Sequence, residues 1–216
     1  MRKGIASYYP VFLNIKGRKC VVVGGGQVAL RKVRTLLEHG ANVEVISPDL
    51  CSELNDLAEN KEIHVIRRNY QVGDLKGTLI AIAATDDYNI NLSVASEAEE
   101  TAVLVNVVDD PDNSDFIVPS SVCRGDVTIA ISTAGRSPAL ARKIRTRLEE
   151  AFGDEYASLA LLINEVRTEV KRQGIKLSGN DWQKALDLDL MIDLLKKGDR
   201  EKARAILLSN LKTLQK

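Results

Sequence analysis

Between Lys19 and Lys32 the chain reads KCVVVGGGQVALRK, and this stretch limits the possible folds more than any other. Cys20-Val21-Val22-Val23 is too short for a helix core and rich in β-branched residues, so it predicts a buried parallel strand. Gly24 and Gly26 occupy the first two positions of G-x-G-x-x-G/A, and Ala29 takes the last, where helix and strand must pack closely. Val28, Val33, Leu36 and Leu37 then follow helical spacing up to a stop at Gly40. Strand, glycine turn and helix in that order bring bare backbone N–H groups and a helix N-terminus to one point, a seat for a diphosphate. A side chain at Gly24 is expected to occupy the phosphate approach. An ordinary tight turn of an unliganded α/β domain has the same local pattern.

Further strands are predicted at Asn42 to Ile46, Ile63 to Ile66, Thr78 to Ala84 and Ala102 to Val108, with helices between them. The first two strands and their helix make a βαβ unit of about 30 residues, whose crossover is expected to be right-handed. Tyr9 to Ile15 alternates apolar and polar residues and reads as an edge strand, and Pro48 is expected to open a helix through Leu57. After residue 114 the alternation changes. Phe116-Ile117-Val118 and Val127 to Ile131 read as an antiparallel hairpin. Ser137-Pro138 then opens a helix that Gly153 closes, and the remainder is helical. The expected organisation is an α/β Rossmann-like parallel-sheet domain over 1–114, a hairpin-plus-helix module over 115–152 and a helical module over 153–216.

Charge and composition narrow the partners. Thirty Lys and Arg balance thirty Asp and Glu, so no whole-chain field points to nucleic acid or to a membrane surface. No stretch approaches the roughly 20 apolar residues of a membrane span, and MRKGIASYYP lacks the apolar run of a signal peptide. A cytoplasmic location is expected. Cys20, Cys51 and Cys123 match neither a disulfide framework nor a zinc motif, and His39 and His64 suggest no metal cluster, so no metal site is expected.

In an open parallel sheet, ligands sit beyond the carboxyl ends of the strands. Four sets of residues are placed there: Gly24, Gly25, Gly26, Gln27 and Val28; Ser47, Pro48 and Asp49; Thr85, Asp86 and Asp87; and Asn106 to Asp110. The second strand ends without an arginine before Arg67, which favours NAD over NADP; Asp49 is equally placed to cap the next helix. Asp109 follows a buried strand and could take a proton while hydride leaves the same substrate, although a turn residue before Pro111 has the same spacing. Arg136, Arg142, Lys143, Arg145 and Arg147 crowd a helix whose N-terminus, at Ser137, itself attracts anions. That suits a substrate with several carboxylates, as well as a plain solvated basic face.

These residues carry a resemblance. VVVGGGQVALRKVRTLLEHGANVEVISP, AIAATDDYNIN, VNVVDDPDNSDFIVPS and STAGRSPALARKIR together resemble the precorrin-2 dehydrogenase / sirohydrochlorin ferrochelatase family, the first part of siroheme synthase. The resemblance implies an NAD-dependent oxidation of precorrin-2, an octacarboxylate tetrapyrrole, to sirohydrochlorin in siroheme or cobalamin biosynthesis. In some members it also implies a lyase-type insertion of Fe²⁺ to give siroheme. It further implies a homodimer joined through residues 115 to 152. Carried over by position, Asp109 is the catalytic aspartate; the glycine turn, Gln27, Val28, Ser47, Pro48 and Asp49 contact the cofactor, and Thr85 and Asp86 are expected to join them. Asn106, Arg136, Ser137 and Arg142 are the expected substrate contacts. Some fused members have a serine where this chain has Thr133, and the methyltransferase half of fused enzymes has no counterpart in this sequence, so a stand-alone version is expected. A competing reading of another class is a non-catalytic NAD-sensing module. Short-chain dehydrogenase chemistry is disfavoured, because none of the five tyrosines is followed four residues on by lysine.

Overall fold

The computed structural model describes residues 8–214; the segment MRKGIAS considered above for a leader lies outside them, as do Gln215 and Lys216. The chain divides into two compact units, Met1–Val118 and Pro119–Lys216.

The first unit is a parallel sheet of five strands in the order β3-β2-β1-β4-β5: β1 Lys19–Val23, β2 Asn42–Ile46, β3 His64–Ile66, β4 Ile80–Ala83 and β5 Leu104–Val107. That order reverses at β1, as in dinucleotide-binding folds. Helices α1 (Gln27–Glu38), α2 (Ser52–Glu59) and α3 (Tyr88–Thr101) make the crossovers. Strand β1 pairs with both β2 and β4, and Cys20, Val21 and Val22 are fully buried, which is why the run is apolar on both faces. One face of the sheet packs on Ala29, Leu30, Val33 and Leu36 of α1, the other on Val94 and Ala98 of α3. Each fully buried Val or Leu side chain contributes on the order of 1.5–3 kcal/mol.

The structure differs from the sequence reading at three places. Residues 9–15 form no strand; Tyr9, Val11 and Phe12 are exposed, and Ile15 alone of that run is buried in the core. Pro48 lies in a turn, and α2 begins only at Ser52, because the Cys51 amide donates to the Gly25 carbonyl and Ser47 Oγ to the Asp49 carbonyl. Phe116 packs against the first core instead of pairing, and the first hairpin arm is β6, Ser120–Arg124.

In the second unit β6 pairs antiparallel with β7 (Val127–Ile131), followed by α4 (Pro138–Ala151) and α5 (Glu155–Arg172). Helices α6 (Gly179–Ala185), α7 (Leu188–Lys196) and α8 (Arg200–Thr213) close a core of Leu159, Leu162, Val166, Met191, Leu207 and Leu211. No helix among the described residues is long and apolar enough to cross a membrane.

Candidate nucleotide site and an adjoining pocket

The three glycines of the turn are required for different reasons. Gly24 has φ +125°, and a Cβ there would lie 2.3 Å from the Ala84 carbonyl oxygen, inside the seam between β1 and β4. A Cβ on Gly25 would lie 1.8 Å from the Asp49 carbonyl oxygen. At Gly26 a Cβ would meet nothing within 4 Å. The first two glycines let three strand ends converge, and the third leaves open the space in front of α1. Gly24 was expected to guard the phosphate approach; a Cβ there would meet the Ala84 carbonyl first, and the open space lies at Gly26.

Gly26 is also the N-cap of α1 and supplies no side-chain cap. Among the described residues the amides of Gly25, Gly26, Gln27 and Val28 donate to no protein acceptor. A helix start with unclaimed N–H groups facing open space fits a diphosphate. Beside it, Nε2 of the Gln27 side chain donates to Glu53 Oε2 at 3.3 Å. Ser47 is buried and its hydroxyl donates to the Asp49 carbonyl at 2.7 Å, so it shapes the loop. Pro48 and Asp49 are exposed, and the Asp49 carboxylate does not cap α2, whose N-cap is Cys51 without a side-chain bond. Asp49 is thereby left open to a ligand. Thr85 Oγ1 donates to Asn91 Oδ1 at 2.8 Å, while Asn91 Nδ2 donates back to the Thr85 carbonyl at 2.9 Å. Asp87 caps α3, and Asp86 makes no side-chain bond among the described residues.

After β5 the chain folds back in a tight turn in which the Asp110 amide donates to the Val107 carbonyl at 3.2 Å. Asp109 sits at its tip with φ +60°, a left-handed conformation that costs a non-glycine residue about 1 kcal/mol or more. The turn is held from both sides. Asp115 Oδ2 accepts from the Val105 amide, and Ser114 Oγ accepts from the Val107 amide, each at 2.9 Å, covering the outer edge of β5. Asp110 is spent on Asn113, whose Nδ2 donates to Oδ2 at 2.7 Å. Asp109 is exposed and its carboxylate takes no hydrogen bond among the described residues. Asn106 was expected to touch substrate; it is buried, and its Nδ2 donates to the Phe116 carbonyl at 3.0 Å.

Asp109 lines a cavity of 330 Å³ with Val28, Arg31, Lys32 and Leu36 of α1. Burial, and secondarily the charge of Arg31, pull the Lys32 ammonium below its ordinary value, against the opposing pull of Asp109. The sequence reading passed over Lys32. It had a signal: Lys32 lies four residues after Val28 and four before Leu36, on a stripe that should otherwise be apolar. In the second unit Ser137 caps α4 by accepting from the Leu140 amide, and Thr133 Oγ1 accepts from the Ser137 amide at 3.1 Å. Arg136 and Arg142 are exposed without an ion pair among the described residues, whereas Arg145 pairs with Glu149. Among the described residues no group of three or more His, Cys, Asp or Glu is placed to hold a metal ion.

Strand order, glycine turn and open helix start define a dinucleotide-binding domain of the Rossmann type. Comparisons with known proteins agree. Residues 11–120 match the NAD(P)-binding family model, and residues 124–151 match the one described as sirohaem biosynthesis protein central. The chain is 40% identical over 200 residues to a siroheme synthase of Chromobacterium violaceum, covering 92% of this chain and 42% of that protein. It is 38% identical to one of Thioalkalivibrio sulfidiphilus, covering 95% and 42%. The chain thus spans less than half the length of these curated relatives. Among solved structures, SirC, a precorrin-2 dehydrogenase, superposes with a TM-score of 0.71 at 25% identity, covering 95% of this chain and 100% of that one. The chain belongs to the NAD(P)-binding precorrin-2 dehydrogenase and siroheme synthase family.

Proposed function

We propose that this protein oxidises precorrin-2 to sirohydrochlorin with NAD. The observation that carries the reading is Asp109, held in a left-handed turn at the end of β5, without a hydrogen-bond partner for its carboxylate among the described residues and lining one cavity with the helix whose open start fits a diphosphate. When bound, NAD supplies the hydride acceptor. Removal of a hydride and a proton leaves the macrocycle two hydrogens poorer, giving sirohydrochlorin, NADH and one proton. The chain's part is to receive that proton, and an unpartnered carboxylate at Asp109 suits the task. Asp49, open at the end of β2 with no arginine before Arg67, favours the free ribose hydroxyls of NAD over a 2′-phosphate. Arg136 and Arg142, next to the α4 start at Ser137, suit carboxylates of the substrate.

The assembly we infer is a homodimer formed through the β6–β7 hairpin and α4. A two-stranded ribbon is marginal alone, and both of its edges are open to pairing. Three unpaired cysteines are in keeping with the cytoplasm. Fe²⁺ is a further candidate substrate, for which Asp109 could accept pyrrole protons.

The test is an anaerobic assay of NADH formation from freshly made precorrin-2. Turnover dependent on NAD and on the protein is expected; nucleotide binding without turnover would replace the enzyme with an NAD-sensing module. Sirohydrochlorin and Fe²⁺ without NAD form the second arm, and siroheme produced no faster than in buffer removes the chelatase.

A further inference from the structure

The second unit has a cavity of its own, 580 Å³, between α5 and the segment leading into α6. Its walls include the half-buried Ile175, Leu177 and Trp182. Its charged lining residues are Arg167, Lys171 and Lys176, without one acid among the lining. The absence of acids is local, since the acids of α5 are engaged elsewhere: Glu165 pairs with Arg200 at 2.8 Å and Glu169 with Arg204. Arg167 and Lys171 are four apart on one helix, where like charges repel, and none of the three cations forms an ion pair among the described residues. An apolar floor with an indole on it, ringed by uncompensated positive charge, complements one kind of molecule.

We propose that this cavity binds an aromatic polycarboxylate, with the flat ring against Trp182 and the anionic groups at Arg167, Lys171 and Lys176. The volume is that of a small-molecule site. Stacking on an indole and charge-assisted hydrogen bonds to guanidinium and ammonium groups supply the two halves of the recognition. The inference does not depend on the reaction proposed above.

Trp182 is the sole tryptophan of the chain, which makes it a reporter. The whole protein, saturated with NAD to keep probe off the nucleotide seat, is titrated with anilinonaphthalene sulfonate while Trp182 is excited and dye emission is read by energy transfer. Saturable transfer is expected, displaced by an octacarboxylate porphyrin added as competitor. In the triple variant Arg167→Gln, Lys171→Gln, Lys176→Gln the dye should bind at least about tenfold more weakly, the scale of lost charge-assisted bonds. A control removing three charges from the first unit, Lys16→Gln, Lys61→Gln, Lys76→Gln, should leave dye affinity unchanged. Equal dye affinity in wild type and triple variant, or an equal loss in the control, overturns the site. Dye that resists displacement by the porphyrin overturns the ligand class. Unchanged circular dichroism and thermal midpoint show that the variants are folded.

Discussion

Lys32 and Asp109, on α1 and just beyond β5, line one cavity without forming an ion pair among the described residues, and the charge of Asp109 opposes the lowering of the Lys32 ammonium. A carboxylate that takes no hydrogen bond among the described residues keeps its oxygens uncommitted, as a proton acceptor needs. Asp109→Asn keeps the shape and the left-handed turn, which asparagine tolerates as well as aspartate does. It should leave the NAD dissociation constant unchanged and lower turnover of precorrin-2 by about 10²-fold or more, the scale of a lost general base. Stopped-flow or steady-state NADH formation decides; a variant with wild-type turnover takes Asp109 out of the mechanism.

The glycine turn separates folding from binding. Gly24→Val sets a branched side chain at φ +125° against the Ala84 carbonyl and should cost about 3 kcal/mol or more of stability. Gly26→Val meets open space at φ −89°, which valine adopts. It should fold with a thermal midpoint close to wild type and bind NAD at least about tenfold more weakly, because the side chain stands where the diphosphate approaches. Calorimetric titration and thermal unfolding of the pair check both halves. A Gly26→Val protein with wild-type affinity would move the diphosphate elsewhere.

How far the sequence revealed these features depends on what kind of force fixed each one. The strands β1, β2, β4 and β5 are buried on both faces or nearly so, and burial writes itself into composition, as in Ile80-Ala81-Ile82-Ala83. The β6 arm, Ser120-Ser121-Val122-Cys123-Arg124, carries little apolar signal, since one of its residues is buried and pairing with β7 holds the rest. Phe116, four residues before Ser120, looks more strand-like and instead fills the first core. At the candidate site, Gly24, Gly26 and Asp109 stand out by motif and position. The spending of Asn106 on the Phe116 carbonyl and of Thr85 on Asn91 could not be read off, because both partners are six or more residues away. Lys32 was visible as a charge on an apolar stripe, but its meaning needs the loop after β5, which only folding brings alongside α1.

Cofactor choice should rest on Asp49. Its carboxylate is exposed, caps no helix and follows β2, so a 2′-phosphate would meet a fixed negative charge there. Wild type should bind NAD at least about tenfold more tightly than NADP, and Asp49→Ala should narrow that ratio, chiefly by improving NADP binding, since like-charge repulsion is what the substitution removes. Competition titrations with both nucleotides measure it. A ratio unaffected by the substitution would place discrimination on another residue.

The first unit should also lose stability in alkali through Tyr70. This side chain is buried, and its hydroxyl donates to Glu97, whose carboxylate also accepts from the Gly73 amide at 2.9 Å and the Leu75 amide at 3.0 Å. Burial first, then the bond to Glu97 and the charges of Glu97 and Asp74, raise the phenol far above its ordinary value. The sign follows from linkage. In the unfolded chain the phenol loses its proton near pH ~10, whereas in the native state it keeps it, so above that pH the unfolded state binds fewer protons and gains. The contribution of Tyr70 is therefore complete below about pH 10 and is lost as pH rises further, by up to about 1.4 kcal/mol per pH unit. Tyr70→Phe should cost about 1–3 kcal/mol at neutral pH, where Glu97 loses one of three donors, and should soften the alkaline decline. Urea unfolding of both proteins at about pH 8 and about pH 11 brackets the unfolded value. Equal losses between those two conditions would show that the Tyr70 proton does not couple to folding.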